Sequence, residues 1–187
     1  MQTQSLEGGF SEPAINASHA FRNLMEAMAR PGTIHTLVGG TAPAPLSVAA
    51  ATTVLTLCGA DTPIWLAGRF DTDALRAWIA FHTGAPFSGP SHCSFALGHW
   101  ADLAPLSAFP IGTPEYPDRS ATLIVEVDTL CNEGSSISGP GIRNQATLSL
   151  PDAQAFRDNH AFFPLGLDFI LTCADRVAAM PRSTEVL

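Results

Sequence analysis

The stretch Ala121-Thr-Leu-Ile-Val-Glu-Val127 is the most strand-like segment of the chain. Leu123, Ile124, Val125 and Val127 are apolar, and most of them are β-branched. Such residues are enriched in strands because they pack well on a pleated surface. Glu126 interrupts the apolar run. The stretch therefore predicts a strand that has one partly wet face.

Helical and strand patterns alternate on both sides of this strand. Apolar residues after Ser18 recur at i, i+3, i+4 and i+7, and Pro31 and Gly32 break the pattern, so a first helix is predicted to end at Arg30. Its stripe consists of Phe21, Leu24, Met25 and Met28. Further helices are predicted over 46–58, from the cap Asp71 to Gly84, and from Asp152 to about Phe162. Strands are predicted over 33–38, 63–67, 93–97, 147–150 and 169–173, with an additional edge strand within 180–186.

This alternation indicates a mixed α/β fold. Sequential helices imply crossover connections that cover a sheet, so we expect one central sheet of about six or seven strands, some antiparallel, flanked by helices. Residues 103–120 contain four prolines and are predicted to form a long irregular loop, a kind of segment that often carries function. The 187 residues fit the usual size of one domain, about 100–200 residues. The prediction is a single α/β domain over 1–187.

The absence of lysine excludes several enzyme classes. The chain has 9 basic and 17 acidic side chains, a formal charge of −8, and every basic one is an arginine. Without lysine there is no Walker-type phosphate loop, and no Schiff base can form with a carbonyl substrate or with pyridoxal phosphate. Arginine keeps phosphate recognition available, because its guanidinium can donate two parallel hydrogen bonds.

Charge and hydropathy favour protein partners over nucleic acid. Charged residues are 14% and hydrophobic residues 46% of the chain, whereas an average protein is about a quarter charged. This composition indicates a surface buried against another protein chain. An acidic chain offers no basic field for nucleic-acid phosphates. The start does not resemble a secretory signal, and the most apolar run, 45–60, is shorter than the roughly 20 residues of a membrane span. We therefore expect a cytoplasmic protein.

A tight turn is predicted where Ser138-Gly-Pro-Gly-Ile142 precedes Arg143. Two glycines around a proline allow a turn whose backbone amides face an anion, with the Arg143 guanidinium as the matching charge. A plain connector between two strands is the alternative. Pro181-Arg182-Ser183-Thr184 likewise places a guanidinium beside two hydroxyls, which suits an oxyanion site, a partner contact or a solvated chain end.

No familiar catalytic or metal-binding pattern occurs in the sequence. His82 closes a predicted helix, where a protonated imidazole complements the helix C-terminus, and the other histidines show no ligand spacing. The cysteines at 58, 93, 131 and 173 form no Cys-x-x-Cys pair, so they are interpreted as reduced, mostly buried thiols rather than zinc ligands. The Gly-x-Ser-x-Gly elbow of hydrolases is also missing. Catalytic residues therefore stay unassigned, and no cofactor or metal is predicted.

Short motifs follow one another in a fixed order from one end of the chain to the other. They are Gly8-Gly9-Phe10, Phe21-Arg22 with Met25, Ala27-Met28-Ala29-Arg30-Pro31-Gly32, Phe81-His82-Thr83-Gly84, Pro114-Glu115, Ser120-Ala121-Thr122, Gly139-Pro140-Gly141-Ile142, Phe163-Pro164 with Gly166 and Asp168, and Pro181-Arg182. Each motif alone is short, but their order and register over most of the chain closely resemble the family of H subunits from the core complex of bacterial carbon–phosphorus lyase.

The resemblance implies a role in phosphonate catabolism, within a core complex that also contains the G, I and J proteins. It implies that the complex displaces adenine from ATP by a phosphonate, giving ribose 1-phosphonate 5-triphosphate, before a radical-SAM, iron–sulfur protein cuts the carbon–phosphorus bond. Neither step is assigned to this family. The family's fold is similar to the large domain of pyridoxal-phosphate-dependent transferases without the cofactor. A chain that has no lysine suits that description.

Three interpretations remain open at this point. The first is an accessory component, a homodimer when isolated, that supports the transferase activity of a complex without chemistry of its own. The second is a stand-alone small-molecule enzyme that uses His82 or a cysteine in a cleft, and the third is a homodimer that binds phosphonate by itself. If a site survives on the first kind of protein, it is expected to bind phosphonate or triphosphate oxygens. Its candidate ligands are Gly139, Gly141, Arg143 and Arg182.

Overall fold

The structure, a computed structural model, describes residues 7–187. The first six residues of the predicted domain 1–187 lie outside this range. The helices are α1 (Pro13–Ala29), α2 (Val48–Leu57), α3 (Asp73–Thr83) and α4 (Ala153–His160). The strands are β1 (His35–Thr36), β2 (Ile64–Leu66), β3 (Phe95–His99), β4 (Thr122–Glu126), β5 (Ser135–Ser138), β6 (Ala146–Leu148), β7 (Asp168–Cys173), β8 (Arg176–Met180) and β9 (Glu185–Val186).

Strand β4 lies inside a six-stranded sheet with the order β1-β8-β7-β4-β3-β2. It pairs in parallel with β3 and β7, so that Ile124 lies between Leu97 and Ile170. Strands β2, β3, β4 and β7 are parallel, whereas β8 is antiparallel to both β7 and β1. The predicted α/β class and the mixed central sheet are confirmed, with six strands in that sheet.

The partly wet face predicted for β4 is wrong. Leu123, Ile124 and Val125 are fully buried, and Glu126 is only 8% exposed. Helix α2 contacts β4 and β7 on one side of the sheet, and a second apolar cluster that includes Leu123 and Phe156 covers the other side. Glu126 is the last residue of the strand, so its charge marks the end of the strand rather than a solvated face.

Two strands lie where the sequence predicted none. β8 follows β7 through a tight turn that holds Ala174 in the left-handed conformation, with φ 54°. β5 pairs with β6 and β9 in a small antiparallel sheet. The additional C-terminal strand is confirmed as Glu185–Val186, and it forms an edge of this small sheet rather than of the central one. The chain therefore divides its strands between two sheets, where the sequence predicts one.

Some predicted boundaries move by a few residues. Helix α1 begins at Pro13 rather than after Ser18, because proline is well suited to the first turn of a helix. Thr72, and not Asp71, caps α3 with its hydroxyl, while Asp71 pairs with Arg76. The observed strands β1, β3 and β6 correspond to the predicted ranges 33–38, 93–97 and 147–150, and helix α2 to the predicted range 46–58.

The apolar stripe predicted for α1 is divided between core and surface. Ala20, Leu24 and Ala27 are buried on a helix that packs against α2 and β8. Phe21 and Met25 are 49% and 52% exposed. Because small side chains allow the helix to approach the sheet closely, the buried stripe is centred on the two alanines and Leu24, and the larger neighbours remain outside.

Candidate functional site

A cleft of about 640 Å³ opens at the carboxyl ends of the parallel strands. In open α/β sheets this edge is the usual place for ligands, because the loops that follow the strands converge there. We call it the strand-end cleft and define it by Arg69, which follows β2, His99 and Trp100 at the end of β3, Glu126 and Asp128 at the end of β4, and Ser149, which follows β6.

Glu126 is the buried carboxyl group of the strand-end cleft. Its Oε2 accepts hydrogen bonds from the hydroxyls of Ser47 (2.9 Å) and Thr172 (2.8 Å). No hydrogen bond from residues 7–187 engages Oε1. In the same range, the side-chain atoms that are fully buried and have no hydrogen-bond partner are Trp78 Nε1 and Thr184 Oγ1. Because Oε1 is not one of them, it is accessible to solvent. Oε1 is therefore the atom that Glu126 presents to the cleft.

His99 and Arg69 supply the basic groups of the cleft. His99 Nδ1 lies 2.9 Å from the backbone carbonyl oxygen of Glu126. Because a carbonyl oxygen can only accept, Nδ1 carries the proton and Nε2 is the remaining ring nitrogen. The Arg69 guanidinium lies 5.6 Å from the centroid of the Phe70 ring, and it makes no ion pair with any described residue. Its charge is therefore available to a ligand.

The environment of Glu126 changes its protonation. Burial raises the pKa of the Glu126 carboxyl above its ordinary range. Hydrogen bonds from Thr172 and Ser47 and the charges of His99 and Arg69 lower this pKa, but the loss of hydration outweighs them. A carboxyl group accepts hydrogen bonds when ionised and donates one when protonated. The cleft can therefore bind a polar small molecule and hold a proton at Glu126.

The substitution Glu126→Gln is expected to stabilise the protein increasingly as the pH rises. A carboxyl whose folded pKa is raised favours folding below its unfolded pKa, and that contribution is lost as the pH rises through the folded pKa. Glutamine cannot ionise, and its carbonyl oxygen can still accept from Ser47 and Thr172. The free energy of unfolding of both proteins, measured by urea titration between about pH 4 and pH 7, checks this. Glu133→Gln, at an exposed position, is the matched control. A difference between Glu126→Gln and wild type that does not change with pH would contradict the expectation.

Arg182, a predicted anion ligand, lies in a closed hydrogen-bond network. Its guanidinium pairs with Asp168 and donates to the Pro117 carbonyl oxygen and the Ser120 hydroxyl. The Asp168 carboxylate also accepts the backbone N–H of Arg182 at 2.9 Å. The side chains of Arg182 and Asp168 are only 13% and 17% exposed. This network ties the long loop and the C-terminal segment to the start of β7.

The Gly-Pro-Gly turn packs against two other parts of the chain. Gly139, with φ 136°, lies against the backbone of Ser183 and Thr184, and Gly141, with φ 82°, lies against the Ala29 carbonyl group at the end of α1. Arg143 is exposed just after the turn. The structure thus brings Gly139 beside the segment that carries Arg182, while the Arg182 guanidinium itself is bonded to Asp168.

His82 lies in the last turn of α3, as predicted. The centroid of its imidazole ring lies 5.0 Å from the centroid of the Trp78 ring and 4.9 Å from that of the Phe81 ring. The backbone of Gly9 lies directly against the imidazole, because a Cβ added there would be only 2.6 Å from it. His82 therefore joins the segment that precedes α1 to the end of α3, and it is not among the residues that line the strand-end cleft.

The two most buried cysteines are poorly suited to nucleophilic chemistry. Burial raises the pKa of the Cys58 thiol to about 12 and that of Cys93 to about 11. The thiolate is the reactive form, so both groups stay protonated at neutral pH. Across residues 7–187 no group of three or more His, Cys, Asp or Glu side chains is arranged to hold a metal ion. In the same range, no helix has both the length and the apolar character needed to cross a membrane.

The main polar residues of the cleft are not identified by sequence patterns. In the sequence, Glu126 indicates a strand face that is partly exposed to solvent, and His99 and Arg69 belong to no motif. A usable signal is present nonetheless: each of the three stands at or just after the end of a parallel strand. Recognising it requires knowing that β2, β3 and β4 are parallel neighbours, which the sequence does not state.

Comparisons with known proteins identify the relatives of this chain. A family model described as "Bacterial phosphonate metabolism protein (PhnH)" matches residues 8–187. The chain is 40% identical over 196 residues to "Alpha-D-ribose 1-methylphosphonate 5-triphosphate synthase subunit PhnH" of Rhizobium meliloti (strain 1021), covering 99% of this chain and 97% of the relative. It is 31% identical over 175 residues to "Putative C-P lyase subunit protein HtxG" of Stutzerimonas stutzeri, covering 89% and 84%.

Proposed function

The chain belongs to the bacterial phosphonate metabolism protein (PhnH) family, and we propose that it serves as the PhnH component of an α-D-ribose 1-methylphosphonate 5-triphosphate synthase in phosphonate catabolism. The observation that carries this proposal is the relative of that name, which is 40% identical over 99% of this chain and 97% of its own length. The match leaves out almost nothing of either protein, so the two sequences correspond along nearly their whole lengths.

The chain acts in this proposal as an accessory component rather than as the catalyst. Its lack of lysine rules out covalent attachment of pyridoxal phosphate. The fold is proposed to be a single domain over 1–187 that is similar to the large domain of the transferases that use this cofactor. The two deeply buried thiols are poor nucleophiles. These features are consistent with a transferase-like scaffold that contributes surfaces and binding sites to an assembly.

The proposed partners are the G, I and J proteins of the core complex, and the isolated chain is proposed to be a cytoplasmic homodimer. Exposed large apolar side chains support association. Phe21 and Met25, one turn apart on α1, are 49% and 52% exposed, and Phe162 and Phe163, after α4, are 56% and 57% exposed. Clusters of exposed apolar residues often mark protein interfaces. The two groups lie on different elements, so they can serve two different contacts.

The anion site at Gly139, Gly141, Arg143 and Arg182 remains part of the proposal. The exposed guanidinium of Arg143 follows a turn in which the backbone N–H groups of Gly141 and Arg143 donate no hydrogen bond to any described backbone carbonyl. Free amides beside a guanidinium suit phosphonate or phosphate oxygens. Arg182 is proposed to support the site by holding the segment that Gly139 contacts, since its own guanidinium is bonded to Asp168.

Turnover of ATP with methylphosphonate is expected only when the chain is co-expressed with the G, I and J proteins. The physical reason is that a component without its own catalytic group contributes only within the assembly. Co-purification of tagged chain, followed by a nucleotide turnover assay on the chain alone and on the mixture, checks this. Turnover by the isolated chain would instead indicate a stand-alone enzyme. Tight methylphosphonate binding without partners or turnover would indicate a binding homodimer.

A further inference from the structure

The strand-end cleft holds a buried hydrogen-bond acceptor with one oxygen left unengaged. Burying a carboxyl group is costly unless hydrogen bonds compensate for the lost water. At Glu126, which is 8% exposed, the side-chain donors of the described range, Ser47 and Thr172, bond to the same oxygen, Oε2. Oε1 is therefore the atom to which a polar group of a ligand in the cleft can bond.

Hydroxyl groups fit this acceptor better than an ammonium group. Burial raises the pKa of Glu126, so the carboxyl stays protonated up to a higher pH than that of an ordinary glutamate. A hydroxyl can donate to the carboxylate and accept from the carboxylic acid, whereas an ammonium group can only donate. The positive charge of Arg69 acts on the same carboxyl and would repel an ammonium group placed there.

Arg69 provides the anion-binding group of the same cleft. Its guanidinium has no carboxylate partner among the residues of the described range, and a guanidinium can bond two oxygens of one phosphoryl group at once. Glu126 and Asp128 also line the cleft. Their carboxyl groups would repel the additional negative charges of a triphosphate chain, so the cleft favours a ligand with a single phosphoryl group bonded to Arg69.

From these contacts we propose that the strand-end cleft binds a sugar monophosphate, with sugar hydroxyls bonded to Glu126 and the phosphoryl group bonded to Arg69. The side chains of Trp100, Val127 and Leu150 line the same opening and offer an apolar surface to the carbon face of the sugar. The ligand class follows from the cleft itself. The choice of ribose as the sugar rests on the proposed function.

The test is isothermal titration calorimetry of the full-length chain with ribose 5-phosphate. Saturable binding is expected, tighter than that of inorganic phosphate, methylphosphonate, phosphoethanolamine or ATP. Arg69→Ala and Glu126→Gln are each expected to weaken ribose 5-phosphate binding roughly tenfold, the loss typical of one charge-assisted hydrogen bond. Arg22→Ala, an exposed arginine on α1, is the matched control and should bind like wild type.

Each other outcome overturns a defined part of the inference. If binding of ribose 5-phosphate does not saturate at millimolar concentration, or if both variants bind it like wild type, the proposed site is wrong. Equal binding of inorganic phosphate removes recognition of the sugar. Tighter binding of phosphoethanolamine removes the preference for hydroxyls, and tighter binding of ATP removes the limit to one phosphoryl group. If Glu126→Gln does not fold, Arg69→Ala, an exposed position, still decides the question.

The result also separates this inference from the proposed function. Association with the candidate partner proteins is measured by co-purification, which does not depend on the cleft ligand. A chain that assembles and supports turnover but binds no ribose 5-phosphate contradicts only the cleft assignment. A chain that binds ribose 5-phosphate through Arg69 and Glu126 but never assembles contradicts only the proposed function.

Discussion

Replacement of Arg182 by alanine is expected to lower the free energy of unfolding by about 3 kcal/mol, the lower end of the cost of breaking a buried ion pair. The side chains of Arg182 and Asp168 are 13% and 17% exposed, so solvent only partly replaces the lost partner. The substitution leaves a largely buried carboxylate without its cation and also frees the Pro117 carbonyl oxygen and the Ser120 hydroxyl. The long loop then loses one of its attachments to the start of β7, while the hydrogen bond from Gly166 N–H to the Ile111 carbonyl oxygen remains.

Thermal unfolding followed by circular dichroism checks this expectation. For a chain of this size, a loss of about 3 kcal/mol corresponds to a fall in the melting temperature of roughly 6–12 °C. Arg143→Ala is the matched control, because Arg143 is exposed and its loss should change stability by no more than about 0.5 kcal/mol. A melting temperature unchanged by Arg182→Ala would show that the network contributes nothing to stability.

The same pair of variants tests the proposed anion site. If Arg143 binds a phosphonate or phosphate oxygen, Arg143→Ala should lower turnover by the assembled complex while leaving melting and co-purification unchanged. Loss of co-purification alone would make Arg143 an interface residue. Unchanged turnover and unchanged assembly would remove Arg143 from the site. Arg182→Ala cannot make this distinction, because its effect on folding is expected to come first.

The substitution Gly141→Ala is expected to cost about 3 kcal/mol or more, from a strained backbone and a steric clash together. Gly141 has φ 82°, a region that favours glycine, and a Cβ there would lie 2.9 Å from the carbonyl carbon of Ala29 and still closer to its oxygen. Both neighbours are backbone atoms, so the turn or the end of α1 must shift. The small sheet and α1 would then no longer pack together as observed.

Gly89→Ala provides the control for Gly141→Ala. Gly89 has φ −82°, and a Cβ there would meet no described atom within 4 Å. This substitution is expected to be neutral or slightly stabilising, by up to about 1 kcal/mol, because it restricts the unfolded chain. Urea denaturation of both variants measures the contrast. Equal stability of Gly141→Ala and Gly89→Ala would mean that the contact between the turn and α1 is not maintained in solution.

Most elements of the central sheet can be located from the sequence because their signals are local. Residues 121–127 and 169–173 are apolar runs of strand length, and the structure places β4 and β7 there. Strand β5 has no such signal, and the short apolar run of β8, residues 177–180, consists half of alanine, which is not a strong strand former. Ser135–Ser138 is polar, since one side of the small sheet is exposed, and Arg176–Met180 begins directly after a turn that contains no glycine or proline. Pairing on both sides, with β7 and β1 for β8 and with β6 and β9 for β5, makes these two segments strands.

The candidate site is less predictable than the fold. Gly139, Gly141, Arg143 and Arg182 attract attention because glycine turns and arginines are recognisable in one dimension. Glu126 does not, because a single acidic residue in an apolar run looks like an exposed position. The sequence does not show how deeply a residue is buried, so it could not distinguish a buried carboxyl group from a solvated one.

By itself the sequence determined the α/β class, the position of β4 and the absence of lysine chemistry, because these depend on residue spacing and composition. Only the tertiary structure decided which polar groups are enclosed and which are open to a ligand. Glu126 is a cleft residue because Ser47 and Thr172 meet its carboxyl group from other elements. Arg182 is a structural residue because Asp168 lies beside it. Both outcomes depend on contacts between segments far apart in the chain, which local patterns do not specify.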